Sequence, residues 1–556
     1  MKKYEGGFMN KFADTVYHNG TVITMNDESK FAEAVAVSDD TILAVGDFAK
    51  VKTFAHEKTR YVDLKGKTLL PGFIDAHSHI LDTAFRALWV DVNSVPLGTV
   101  TGIADVIRLL KEKAQITPEG EWIVGWGYDD SKIEEMRHLT VEDLNQVSTE
   151  HPVSISHISG WVTYHNSLAL AKGDIAKGTP DSEYYRILHY PDGEPTGTIE
   201  SALCPIFSKI PMAAGETFIK GLEIVSKRYA AKGCTTSQEG WFCSKKTVDL
   251  TREAMYENLF NVRLVLYPVG EGDVYDTGKN ELYPEFSSGE YLDKHKMLCM
   301  GAMKLTADGS IQARTACLSK PYYLCPADKP FSGPCNHEQE WLNDRVLTFH
   351  KQGKQVAIHC NGDGAIEMAI IACEHAQKQY YREDPRFVFI HCQTARKDQL
   401  ERIAKLKACI SFFVTHTYFW GERHYAVFLG PERAMRLDPV REAMDLGINC
   451  TLHNDTYVTP IDPLLSVWSA VNRQTYEGRD LGKEEQGIDV YSALKAITIN
   501  AAFQGFEENV KGSIEIGKLA DFVVLEENPL EADEWKIKDL KITATIVGNK
   551  LVYGDI

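Results

Sequence analysis

Eight short apolar runs punctuate the middle of the chain. They are GFIDAH (72–77), CTTSQE (234–239), RLVLYPV (263–269), AMKLTAD (302–308), QVAIHC (355–360), FVFIHC (387–392), ACISFFVT (408–415) and NCTLHND (449–455). Each has the length of a strand, and most of the intervals between them are patterned as helices. FIKGLEIVSKRYAAKG (218–233) is one such interval; DPVREAMDLG (438–447) is another, with Asp438 expected as its N-cap and Gly447 as its stop. Apolar strands alternating with helices predict parallel βα units. Eight strands is the number that closes a (β/α)8 TIM-like barrel, so the expected fold class is α/β.

Two regions break the rhythm. Residues 78–233 are too many for one βα unit, and they hold EWIVGWGYDD, HPVSISHISGWVTYHNSLAL and HYPDGEPTGTIES. An inserted subdomain is expected at about 95–210, after the first barrel strand. Long insertions in barrels sit on loops at the C-terminal ends of the strands, over the active site. Both ends of the chain are also different. TVYHNGTVITMND and FAEAVAVSDDTILAVGD near the start, and GKLADFVVLEENPL and ITATIVGNKLVYGD near the end, alternate and turn like short strands. They predict a β-sandwich-like domain built from both termini, residues 1–70 and 501–556, around a barrel spanning 71–500.

Composition narrows the class of function. The 556 residues are 44% hydrophobic and 25% charged, as in a soluble globular protein, and the net charge is −18. That charge argues against nucleic acid or an anionic membrane as a partner. No apolar run reaches ~18 residues, so no membrane span is expected. MKKYEGGFMNKFADTVYHNG has no apolar core of a secretory leader, which points to a cytoplasmic protein. The twelve cysteines are dispersed without a CxxC pair, and Cys360, Cys392 and Cys450 lie in apolar runs. Reduced, buried thiols are expected rather than a disulfide framework. Self-association as a homodimer stays open.

The ends of the runs carry the chemistry. His77 and His79 in PGFIDAHSH are two apart, and residues i and i+2 of a strand share a face, so both rings can reach one ion. Alone this is a weak signal. The fifth run adds His359, the sixth His391, the eighth Asp455 and the fourth Lys304. Strand ends far apart in sequence converge on one pocket in a barrel. Any one of these histidines, taken alone, reads more plainly as a core residue bonded to backbone; all four together do not. Imidazole and carboxylate suit zinc and similar divalent ions, one or two per chain. A second ion would need an anionic bridge. A lysine ammonium has only donors, whereas a lysine carboxylated by CO2 offers two anionic oxygens. Lys304 can therefore be that carbamate, a substrate anchor or an ion-pair partner of Asp308.

PGFIDAHSH after a β-rich start, KLTADGS, the later histidine runs, HND and the closing GSIEIGKLADFVVLEENPL together resemble the amidohydrolase superfamily. The likeness runs from about residue 15 to 554 and is greatest to the YtcJ-like branch, which includes N-substituted formamide deformylases. HTYFWGERHYAVFLGPERAMRLDP (416–439) looks like the deformylase side of that branch. The resemblance implies that His77, His79 and Asp455 hold the more buried metal. It also implies that carboxylated Lys304 bridges to a second metal held by His359 and His391. The chain departs from the pattern at Trp161, where His is frequent, in the LHNDTYVTP motif, and at Gly364, where Arg is common.

The expected activity is metal-dependent hydrolysis of a C–N bond in a small molecule, an amide or N-substituted formamide, through a metal-activated hydroxide. Water on a good zinc site falls from a pKa of about 15.7 to about 7. Asp455 would take the proton of the attacking water and hand it to the leaving nitrogen. His416, Arg314 and Trp161 are expected around the substrate, with Trp420 and Tyr164 in an aromatic lining. Asp308-Gly309-Ser310 should shape a turn. Hydrolysis of another carbonyl or phosphorus ester, deamination, or a non-catalytic barrel with a binding role are the alternatives, because fold and metals are shared among such chemistries.

Overall fold

The computed structural model describes residues 12–182, 185–200, 205–210, 215–242, 244–271, 286–326 and 328–556. The segment 1–11, read above as part of a leader-free start, lies outside the described residues. The apolar runs form strands, labelled here β1 (Phe73–Ser78), β2 (Cys234–Phe242), β3 (Arg263–Pro268), β4 (Met303–Thr306), β5 (Val356–Cys360), β6 (Val388–His391), β7 (Cys409–Phe412) and β8 (Asn449–Leu452). All pair in parallel, in sequence order, within two sheets. β1, β2 and β3 continue into Leu298–Met300, and β4 to β8 make the second sheet.

The sheets touch at both seams. Val269 bridges Lys304 in parallel, and the Gly270 N–H donates to the Lys304 carbonyl at 2.8 Å. At the other seam the Asp455 N–H donates to the His77 carbonyl at 3.2 Å, and the His79 N–H to that of Thr456 at 2.6 Å. A short parallel strand, Leu298–Met300, precedes β4, and Gly301 between them lies against the Tyr267 ring. A Cβ built there would stand 2.4 Å from the ring.

Helices whose apolar stripes face the strands cover both sheets. Leu222 and Val225 of Glu216–Ala231, Val346 of Gln339–Lys351, and Ile366 and Ile370 of Asp363–Gln379 share one buried cluster with strand residues. The helix in DPVREAMDLG is Val440–Asp445, and its N-cap is Pro439 rather than Asp438. Asp438 is buried instead, without a hydrogen bond to either carboxylate oxygen. Burial raises its carboxyl well above the usual range, and Arg473 only partly offsets this.

Between Val90 and Glu200 a six-stranded mixed sheet stands apart, ordered 186–189, 195–200, 162–165, 153–157, 123–128, 90–91. It has its own core, including Val106, Leu110, Ile123, Leu144 and Ile155. Near the termini, Thr21–Ile23, Phe31–Ala32 and Thr68–Pro71 join Phe522–Leu525, Ile542–Val547 and Lys550–Gly554 in one sheet. Val35 and Val37 of the neighbouring four-stranded sheet share a core with Phe522, Val524 and Ile546 of this one. Arg263 at the start of β3 ties the parallel strands to this region, donating to both oxygens of Asp521 at 2.7 and 2.9 Å.

The cysteines need one correction. Cys317 and Cys335 form a disulfide, because the loop after β4 folds back on itself and brings their Cα atoms within 5.1 Å. Cys234, Cys299, Cys360, Cys373, Cys392, Cys409 and Cys450 are buried free thiols. Among the described residues no helix is long and apolar enough to cross a membrane.

Candidate metal centre

The strand ends deliver their polar side chains to one place. His77 is the fifth residue of β1, and His79 lies just past its end. Nε2 of His77 stands 3.5 Å and Nε2 of His79 3.3 Å from Oδ1 of Asp455. Asp455 follows β8 in the left-handed region (φ 51°), and His391 ends β6 there too (φ 72°). Such conformations cost about 1–3 kcal/mol in residues other than glycine and gather at functional sites. Here the Asp455 N–H to the His77 carbonyl fixes one of them.

His391 Nε2 lies 4.0 Å from Asp455 Oδ2 and 3.0 Å from Nδ1 of His359. His359 Nε2 is 3.0 Å from the Gly309 carbonyl, which can only accept, so its ring proton sits there. Nδ1 of His359 is then the nitrogen with a lone pair, and it points at His391. Lys304 Nζ is 3.2 Å from His77 Nε2. All six residues predicted as ligands are therefore brought together, five of them buried and His79 half-buried.

The electrostatics follow from burial among like charges. Burial pushes His77 and His391 well below the ordinary imidazole range and His359 down to about 3. It pushes the Lys304 amine down to about 8. Burial also opposes ionisation of Asp455, but the His79 imidazole beside it outweighs this and holds the carboxyl below its usual value. Burial opposes charge on His79 as well, yet the facing Asp455 and Glu239 carboxylates raise it to about 9.

Two members of the site were missed from sequence. Glu239, fully buried on β2, holds its Oε1 3.7 Å from His79 Nδ1 and accepts from the Leu81 N–H at 2.8 Å. His453 places Nε2 3.1 Å from His391 Nδ1 and Nδ1 2.8 Å from the Ser411 hydroxyl. The signal was present in both cases: Glu239 ends the second run, and His453 is two residues before Asp455.

The expected substrate contacts divide. His416 and Trp161 line an open cavity with His359, His391 and Asp455. Trp161 lies 5.6 Å from the His359 ring, and His416 Nε2 is 2.9 Å from Gln312 Nε2. Arg314 is not in that wall. Its guanidinium donates to the Leu324 carbonyl and lies over Tyr322 and Phe428, because a φ of 54° turns the chain there. Trp420 and Tyr164 do not line this cavity either. Trp420 is buried and donates to Asp129, and Tyr164 packs in the core of the six-stranded sheet. Asp308 accepts from the backbone N–H groups of Cys317, Asn361 and Gly362 and so shapes the loop beside His359.

The donor set fits a divalent cation. His77, His391 and Asp455 offer three ligand atoms within 4.8 Å of one another. Asp455 Oδ1 is buried without an aligned hydrogen bond. A buried anionic oxygen facing two imidazole nitrogens without an aligned hydrogen bond is a place that a bound cation stabilises.

The family model described as "Amidohydrolase family" matches residues 60–553. The chain belongs to the amidohydrolase family. Across its length this amidohydrolase is 27% identical to YtcJ of Bacillus subtilis (strain 168), covering 97% of this chain and 99% of that one. It is also 27% identical to an N-substituted formamide deformylase of Arthrobacter pascens, covering 98% and 99%. A crystal structure of a metal-dependent hydrolase from Pyrococcus horikoshii OT3 superposes with a TM-score of 0.73 at 24% identity, over 94% of this chain and 99% of that one. The zinc complex of atrazine chlorohydrolase TrzN from Arthrobacter aurescens TC1 shares the fold more distantly, with a TM-score of 0.53 at 13% identity over 97% and 95%. The amidohydrolase thus has the α/β fold of metal-dependent hydrolases, with residues suited to a metal at the ends of its parallel strands.

Proposed function

We propose that this amidohydrolase cleaves the C–N bond of a small, partly apolar amide, with N-substituted formamides as the foremost class. The observation that carries the reading is the Asp455 carboxylate, buried, kept ionised, lining the cavity and within 4.0 Å of three imidazoles. On this reading His77, His79 and Asp455 hold one divalent ion, zinc in the first instance. Lys304 as a carbamate, His359 and His391 hold a second. A bound divalent ion acidifies water and polarises a carbonyl. The two parallel sheets are then halves of one (β/α)8 barrel, the sheet between Val90 and Glu200 is its inserted subdomain, and the strands near both ends form a separate β-sandwich-like domain.

The protein's own residues carry the proton and the substrate. Asp455 accepts the proton of the attacking water and delivers it to the amide nitrogen as the C–N bond opens. This is needed because an amine anion leaves poorly. Glu239 keeps the His79 ring turned so that Nε2 faces Asp455. Trp161 and Phe413 supply apolar wall to the cavity, and His416, next to Gln312, is positioned to meet the carbonyl side. No serine or cysteine nucleophile is required; Cys360 and Cys392 pack into the core behind the ligands.

The test is a screen of amides, formamides and carboxylic and phosphorus esters with protein reconstituted with zinc or manganese. Release of an amine and a carboxylic acid from amides is the expected result. Turnover confined to esters would replace the C–N assignment, and no turnover with any metal would remove the enzymatic one.

A further inference from the structure

The turn between strands Val153–His157 and Val162–His165 of the inserted sheet reaches the cavity, and its Ile158, Ser159 and Trp161 line the wall. Gly160 at its tip has φ 73°, and a Cβ there would lie 2.3 Å from the Tyr457 hydroxyl, so the turn is seated tightly.

The hydrogen bonds around Ser159 fix which way its hydroxyl works. The Ser159 backbone N–H donates to Nδ1 of His157 at 3.1 Å, so Nδ1 is the acceptor nitrogen of that ring. The remaining proton of His157 is on Nε2, which faces Oδ1 of Asp130 at 3.2 Å. The Ser159 hydroxyl oxygen lies 2.8 Å from the same Nδ1 and must direct its proton there. That oxygen also accepts from the Trp161 backbone N–H at 3.2 Å. With its proton committed and one lone pair used, Ser159 offers the cavity an acceptor and no donor. The amide oxygens of Gln312 and Asn361, also in the lining, are buried without a hydrogen-bond partner, and no Lys or Arg lines the cavity among the described residues. On this side the wall therefore suits a ligand that donates a hydrogen bond.

We infer that Ser159, oriented by His157 and Asp130, accepts a hydrogen bond from the substrate N–H and so selects amides with one substituent on nitrogen over those with two. The inference rests on the proposed amide chemistry and adds the residue that reads the nitrogen. Ser159 touches the substrate; His157 and Asp130 are positioning residues. A tertiary amide covers the Ser159 lone pair without pairing it, which costs affinity.

Two isomers of equal size separate the effect from bulk: N-propylformamide, which has an N–H, and N-ethyl-N-methylformamide, which has none. The reconstituted wild-type enzyme should favour the first in kcat/KM by about tenfold, mainly through KM. Ser159→Ala should bring the ratio close to one, and His157→Phe, which frees the hydroxyl to rotate, should reduce it part-way. A merely structural role would lower both rates and leave the ratio intact. The ratio of Kd values for the two isomers, read by ligand-observed NMR, reports the same contact without turnover. Binding selectivity that Ser159→Ala abolishes, with no hydrolysis of either isomer, would sink the hydrolytic reading and keep this one. A wild-type ratio near one, or a ratio that survives in Ser159→Ala, overturns the inference.

Discussion

Gly240 on β2 leaves the space that the His77 ring occupies: a Cβ at Gly240 would fall 2.0 Å from His77 Cε1. The His77 ring, packed against this neighbouring strand, has nowhere to move, because it is fully buried. Gly240→Ala should therefore displace the imidazole rather than be absorbed. The expected outcome is a loss of about 1–3 kcal/mol in unfolding free energy, together with reduced uptake of divalent metal. Denaturant titration and metal analysis of the purified variant check it, and wild-type metal content would contradict the crowding.

Asp455→Asn keeps the shape of the side chain and removes its basicity. Turnover should fall by about 10²–10⁴-fold, the usual contribution of positioned proton transfer. The fold should persist, since the Asp455 backbone N–H still binds the His77 carbonyl. Rate measurements beside circular dichroism decide this; retained activity would remove the proton-shuttle role.

Lys304 gives a pH dependence with a definite sign. Burial lowers its pKa from 10.5 to about 8, so the neutral amine that can react with CO2 grows as pH rises through about 8. Reconstitution of metal-free protein with zinc and bicarbonate should be faster and fuller at pH 8.5 than at pH 6.5. Lys304→Ala should lose metal, with partial rescue by small carboxylic acids that replace the bridging oxygens. Metal analysis across pH with both proteins is the measurement, and equal loading in the two would rule the carbamate out.

Asp521 accepts two hydrogen bonds from a guanidinium that is itself only 2% exposed and that also donates to the His295 and Lys296 carbonyls. Asp521→Ala leaves Arg263 charged and buried, and should cost about 3–5 kcal/mol of stability. Replacing both residues with apolar ones should cost less than removing the acid alone, because no buried charge is then left unpaired. Unfolding curves of the single and double variants test the order.

Much of this was legible along the chain. The strands fall within one to a few residues of the apolar runs, because a strand buried on both faces must be apolar along its length. One parallel strand was missed: Leu298–Met300 lies before the fourth run and is separated from β4 by Gly301, which sits against the Tyr267 ring, a contact no local pattern records. His77, His79, Lys304, His359, His391 and Asp455 were legible because each is a polar residue within or ending an apolar run. Glu239 and His453 obey the same rule and were passed over. Arg314 and Asp438 were misread for a different reason. Each has a positive φ, and such a turn re-aims a side chain without leaving a mark in periodicity.

The sequence by itself determined the order of the parallel strands it marked and which polar side chains lie at their ends, since hydrophobic periodicity and residue chemistry are local properties. Only the tertiary structure decided which of those side chains face one another. It joined Asp455 to His77 across 378 residues, paired Cys317 with Cys335, and brought Ser159 from an inserted sheet into the wall of the cavity. Those are contacts between segments distant in the chain. They are fixed by how sheets and loops fill shared space, and no window of sequence contains both partners.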